Sequence, residues 1–335
     1  MVMEFWSRGH AQAARIPTPL RSLAKAGVGA VLIVIAFRQM PSLRHTIREL
    51  DHPSLILLLG AAAAQLLSLL AYTLTVSRLL ARSGVRVGQR PLLRMTVGGI
   101  AMSASLPAGA AASVVYWYRQ LLREGANASA AASAIFWSMI AGVATLGGLL
   151  VAGVAIAGDH GPLAGARLPI FAATAATLLA TLLAGSHLRG ALARLTRRFA
   201  PPVAVGGSTS LLRTGIEVTA LSVANWLLDL ATLYLSLRAV GAHVPLTGLL
   251  LVYALSQVVQ SLPLLPGGGG TVEASLALGF AAFGHTTGSV IAGVLLYRLI
   301  STWGLVPLGW TAIALDSRHT LINKIRRPLL PAARA

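Results

Sequence analysis

Pro53 to Val76 reads PSLILLLGAAAAQLLSLLAYTLTV and carries no charged side chain. A helix needs ~20 mostly apolar residues to cross the hydrocarbon core of a bilayer, and this run supplies them. Ala126 to Gly158 is a second such block, again without Lys, Arg, Asp or Glu. In lipid the backbone must satisfy its own hydrogen bonds, which a helix does within the segment. A transmembrane barrel would alternate apolar and polar positions, and no such alternation is present. The whole chain agrees with the two blocks. It is 56% hydrophobic and 11% charged, where soluble domains carry roughly 25% charge. No room is left for a water-facing domain.

The absence of cysteine excludes a disulfide framework and a thiolate metal site. The eight histidines sit mostly at segment ends without H-E-x-x-H spacing, so no metal and no cofactor are expected. The formal charge of +18 is spread between apolar blocks rather than gathered in one patch. It points to cytoplasmic loops facing anionic inner-leaflet lipid, not to nucleic acid. Residues 1–22 carry Glu4 and scattered arginines ahead of the first apolar stretch, so no cleavable signal is expected.

Six full crossings are expected, at 26–40, 54–77, 128–157, 168–186, 214–237 and 286–315. Two further apolar stretches, 95–118 and 246–284, are interrupted near their middles. The interruptions are Leu106-Pro107-Ala108-Gly109 and Leu265-Pro266-Gly267-Gly268-Gly269-Gly270. Proline removes a backbone donor and consecutive glycines do not hold a helix, so each stretch is expected to be two shorter helices. Basic clusters set the sides. Arg78, Arg82, Arg86, Arg90 and Arg94 mark one cytoplasmic loop; Arg189, Arg194, Arg197, Arg198 and Arg213 mark another. With both termini basic and cytoplasmic, the two broken stretches must each enter and leave on one side, from opposite faces.

The expected fold is therefore an all-α polytopic integral membrane protein with two broken or re-entrant hairpins arranged as an inverted repeat. The halves are about 54–157 and 214–315, within a single transmembrane domain at 26–315. A cytoplasmic segment at 1–25 precedes it and a basic cytoplasmic tail at 316–335 follows. Leu188, Leu192, Leu195 and Phe199 recur at helical spacing among arginines, which suggests an interfacial amphipathic helix over 187–200. The fragment Ser105-Leu106-Pro107 recurs as Ser261-Leu262-Pro263. Interrupted helices in matching positions of inverted halves are a transporter pattern, with the site between the breaks.

Ionisable side chains at membrane depth are costly and face a partner or a wet cavity. Arg298, inside 286–315, and Glu273, just past the glycine run, are the natural pair. Two readings are open for them. One is a structural salt bridge tying the hairpin to its neighbouring helix. The other is a cavity where Arg298 meets an anionic headgroup and Glu273 tunes it. The run Gly267, Gly268, Gly270 and Thr271 lacks a P-loop ending. It either opens a half-helix whose free N–H groups hold an anion or acts as a plain hinge. Asp229 lies inside 214–237, with Asn225 and Trp226 near it. Gln257 and Gln260 precede the second break. These amides either bond helix to helix or line a polar path. Arg119, past the first hairpin, is either a counterpart of Arg298 or an interfacial residue.

Pro266-Gly267-Gly268-Gly269-Gly270-Thr271-Val272-Glu273-Ala274, followed by Leu296-Tyr297-Arg298-Leu299-Ile300, resembles the motifs of the lysylphosphatidylglycerol synthase transmembrane-region family, also called flippase-like. Ser105-Leu106-Pro107-Ala108-Gly109 takes the place of the first-half motif. There the family often continues Gly-Glu and then Arg, whereas here Ala110-Ala111-Ala112 stand in and Arg119 comes later. The resemblance covers about 26–315. It implies translocation of an anionic lipid or a lipid-linked sugar; with only the basic tail at 316–335 after the last expected span, no fused synthase domain is expected. It also leaves room for an accessory role beside a glycosyltransferase.

Overall fold

The structure, a computed structural model, describes residues 53–106, 108–157, 172, 208–261, 270–285 and 288–326. The expected spans at 26–40 and 168–186, the interfacial helix at 187–200, and Gly267 and Gly268 lie outside the described residues.

The first apolar block forms α1, Leu55–Arg82. A short turn leads to the broken pair α2, Gln89–Ser105, and α3, Gly109–Arg123. The second block forms α4, Ala128–Ala157. The later residues repeat this order. Helix α5 is Ser208–Ala239, and the second broken pair is α6, Leu246–Ser261, and α7, Thr271–Ala282. Then come α8, Gly288–Arg298, a π-helical turn at Leu299–Trp303, and α9, Leu305–Arg326. Four of these stretches are long and apolar enough to cross a membrane by length and composition. They are Leu55–Arg82, Ala128–Ala157, Leu212–Ala239 and Gly288–Asp316. Large apolar side chains such as Leu55, Ile56, Leu59 and Leu66 lie exposed on α1. A soluble protein rarely displays such a contiguous surface, but lipid accepts it. The chain is an all-α polytopic membrane protein.

Both apolar stretches with central breaks form two helices each, as expected. At the first break Leu106 is extended (φ −108, ψ 144), which is what a following proline imposes. Ala108 then takes the left-handed conformation at φ 54, and Gly109 packs so tightly on the Met102 and Ser103 carbonyls that no Cβ fits. The arms extend past the apolar window of 95–118, out to Gln89 and Arg123. Their ends are amphipathic and carry Arg90, Arg94 and Arg123, which an apolar-run criterion excludes. Helix α3 folds back on α2, with the Tyr116 and Trp117 rings laid over Gly98 and Gly99. At the second break Gly270 has φ 81, a value glycine adopts freely, and α7 starts at the next residue.

Helix α1 runs antiparallel to α5 along its length. The Ser54 amide donates to the Ala239 carbonyl at 3.0 Å at one end. Ser68 donates to the Asn225 carbonyl at 3.0 Å in the middle. Arg78 pairs with Glu217 at 3.5 Å at the other end. Glycines allow further close crossings, among them Gly293 of α8 against the Leu237 backbone of α5. Gly153 brings α4 against the Leu251 backbone of α6, and Gly309 brings α9 against the Val97 backbone of α2. Small residues at such crossings are the usual way for membrane helices to gain packing contact.

Candidate functional site

Helix α5 passes Asp229 into the second half of the bundle. Its Oδ2 accepts three hydrogen bonds, from Tyr253 OH at 2.7 Å, Tyr297 OH at 2.7 Å and Gln257 Nε2 at 3.0 Å. Tyr253 and Gln257 stand four residues apart on α6, so one helix face presents both. The Gln257 amide also reaches Tyr297 OH at 3.1 Å. Tyr253, Gln257 and Tyr297 are buried, while Asp229 is half-buried.

Tyr297 is followed on α8 by Arg298, which is 1% exposed. Its Nε donates to Glu273 Oε1 at 2.8 Å. Its Nη1 donates to Thr302 Oγ1 at 3.0 Å. Glu273 sits in the first turn of α7, where the helix dipole also favours a negative charge. Its second oxygen, Oε2, is buried and meets no hydrogen-bond partner among the described residues. The helix carrying Arg298 passes into the π-helical turn Leu299–Trp303 directly after it. Such widened turns are common at functional sites because they re-aim side chains.

The structure thus joins Asp229 with Gln257, and Arg298 with Glu273, and Tyr297–Arg298 links the two groups through adjacent residues. Gly270 caps α7 beside Glu273, and Thr271 opens that helix. Gln260 is half-buried one turn beyond Gln257 on α6. Arg119 lies exposed on α3, outside this group. The first hairpin has a different polar tie, in which Gln120 Nε2 donates to Asp316 at 2.9 Å and Arg123 donates to Gln120 at 2.8 Å. Asn225 and Trp226 serve helix contacts, Asn225 with Ser68 and Trp226 Nε1 with the Gly142 carbonyl at 3.0 Å. Tyr253 and Thr302 were not singled out from the sequence. Each stands four residues from a recognised polar residue, Gln257 and Arg298, and that spacing is the signal that could have found them. Among the described residues no group of three or more His, Cys, Asp or Glu comes together as a metal site.

Chemically, the arrangement among the described residues is a fixed guanidinium at membrane depth, paired with a carboxylate whose second oxygen has no donor. Beside it stands a carboxylate whose single oxygen gathers three donors.

Two matches among curated proteins are described as UPF0104 membrane protein, both from Methanothermobacter thermautotrophicus. One is 35% identical over 92 residues and the other 31% identical over 88 residues. The alignments cover 27% and 26% of this chain, and the chain spans about a quarter of the length of the curated relatives it matches. The family model described as lysylphosphatidylglycerol synthase TM region matches residues 22–309. That span takes in both broken hairpins and every residue of the Arg298 and Asp229 groups, and the chain belongs to this family.

Proposed function

We propose that this chain is a flippase-like transporter of an anionic lipid or a polyprenyl-phosphate-linked sugar in the cytoplasmic membrane. The headgroup passes between the broken hairpins while the tails stay in lipid. The observation that carries this reading is Arg298, a guanidinium 1% exposed in an apolar membrane helix and held by Glu273 at the start of a half-helix. Charge at that depth normally marks a substrate path, and guanidinium grips phosphate oxygens in pairs.

An inverted repeat underlies the proposal, and the packing supports it. The spacing that carries Ser105-Leu106-Pro107 onto Ser261-Leu262-Pro263 also carries Gly153 onto Gly309. These two glycines make the corresponding crossings, α4 on α6 and α9 on α2. The same spacing carries Ser68 onto Ala224, next to its own partner Asn225, so a local twofold would pass beside that hydrogen bond. Applied to the site, it sets Thr73 opposite Asp229, Ala101 opposite Gln257 and Gly142 opposite Arg298. The headgroup chemistry therefore belongs to the second half alone, and the transporter has one eccentric site.

Under this proposal both termini lie in the cytoplasm. Arg78 and Arg213 gather on Glu217, and Arg94 approaches Asp316, at one end of the bundle. The concentration of arginines supports taking that end as the cytoplasmic one, facing anionic inner-leaflet lipid. A cysteine introduced at position 330 of this cysteine-free chain should be reached by an impermeant reagent only from the cytoplasmic side. Labelling from outside would invert the topology.

Reconstitution in vesicles tests the transport itself. A labelled anionic lipid should gain access to the opposite leaflet with the protein present, and a zwitterionic one should not. The second reading is a non-transporting accessory subunit of a membrane glycosyltransferase complex, and the closed state of the Arg298–Glu273 pair favours it. It predicts protein-free rates for every lipid.

A further inference from the structure

The charge on Arg298 is already answered. Glu273 Oε1 lies 2.8 Å from its Nε, the guanidinium is almost fully enclosed, and the glutamate occupies the first turn of α7, where an incoming anion would also bind. An anion added beside this pair would bury an excess negative charge, which a low-dielectric site resists. An anion that replaced Glu273 at the guanidinium would leave the local charge unchanged. The pair also holds its carboxylate imperfectly, because Oε2 is buried without a donor among the described residues. A buried acceptor left without a donor is costly, so the pairing does not satisfy the whole carboxylate.

Resting on the reading of Arg298 as the headgroup cation, we propose that Glu273 is a resident competitor for the phosphate site, and that a phosphate-bearing headgroup enters by exchange as Glu273 takes up a proton. The balance is simple. Arg298 keeps its charge throughout, the carboxylate is neutralised by one proton, and the phosphate monoanion becomes the new partner of the guanidinium. No covalent bond is made or broken. Among the described residues, the titratable or charged side chains on the elements packed around α7 are Tyr253 of α6 and Tyr297 and Arg298 of α8, with Asp229 of α5 behind the two tyrosines. His285 lies beyond the far end of α7. Residues 262–269 carry no ionisable group. Among the described residues Glu273 is the carboxylate hydrogen-bonded to Arg298, and under the exchange anion binding should strengthen as pH falls.

The test is calorimetric binding of short-chain phosphatidylglycerol to the purified full chain over a falling pH series. Short-chain phosphatidylcholine and inorganic phosphate serve as comparison probes. Buffers of different ionisation enthalpy report the protons taken up. The wild type should bind phosphatidylglycerol more tightly at lower pH, with about one proton absorbed per headgroup. Glu273→Gln should bind about tenfold tighter at neutral pH and lose both the pH dependence and the proton uptake. Inorganic phosphate binding as tightly as the lipid, with the same proton uptake, would uphold exchange and assign a free anion as the ligand. Proton-free, pH-independent binding by the wild type would overturn exchange even if Glu273→Gln failed to fold. Tight anion binding by both proteins with no gain in the variant would overturn it too. No preference for phosphatidylglycerol or phosphate over phosphatidylcholine in either protein would reject the underlying reading of Arg298 instead.

Discussion

Arg298→Ala is expected to cost about 3–5 kcal/mol of stability, because breaking an enclosed ion pair by removing one partner leaves Glu273 uncompensated. Glu273→Gln strips the guanidinium in the same way, softened by the amide oxygen, which can still accept from Arg298 Nε at the position of Oε1. The double substitution Arg298→Met with Glu273→Gln removes the ion pair together and should recover most of the loss, since replacing a whole buried pair by groups of similar volume is often neutral. The measurement is thermal unfolding and monodispersity in detergent on parallel preparations. A purely additive double mutant, as unstable as the two single losses combined, would mean that the two charges do not interact. Arg298→Lys should fold better than Arg298→Ala yet bind anionic headgroups weakly, for an ammonium lacks the planar fork.

The second large effect is expected at Asp229. Asp229→Leu removes the acceptor on which Tyr253, Tyr297 and Gln257 converge. Each donor orphaned in a buried site costs about 1–3 kcal/mol, moderated here by the contact that remains between Gln257 and Tyr297. Asp229→Asn keeps one acceptor oxygen and should lose much less. Tyr253→Phe removes a single donor and should lose about 1 kcal/mol. Unfolding temperatures in one detergent should order the three as leucine lowest, then asparagine and phenylalanine close to wild type. A leucine variant as stable as wild type would show that this network does not hold α5, α6 and α8 together.

Much of the fold was legible because the bilayer constrains it so strongly. The charge-free run from Pro53 to Val76 has one solution in lipid, and α1 follows from it. The Pro-Ala-Gly and Pro-Gly-Gly interruptions cannot sit within unbroken helices, so the two broken pairs follow as well. Arg298 and Glu273 stood out for the same reason: charges inside apolar stretches must find each other. What the sequence hid depends on orientation rather than composition. The π-helical turn after Arg298 leaves no compositional mark, yet it precedes the register of all of α9. Tyr253 reads as an ordinary apolar-helix residue until Asp229 is seen to arrive from α5. Arg119 reads from the sequence as either a counterpart of Arg298 or an interfacial residue; on α3 it lies exposed, and the polar tie at the first hairpin is made by Gln120, Arg123 and Asp316. The crossing glycines, Gly153 and Gly309, were visible as letters but not as contacts.

The central claim is that an anionic headgroup crosses by way of Arg298. Its most direct measurement is headgroup accessibility in vesicles containing the Arg298→Met, Glu273→Gln double variant, beside wild-type protein at equal density. Both proteins should be folded and monodisperse. The wild type should bring a labelled anionic lipid to the opposite leaflet, and the double variant should leave it at the protein-free rate. A folded double variant that moves the lipid as fast as the wild type would contradict the claim and leave the pair a structural salt bridge.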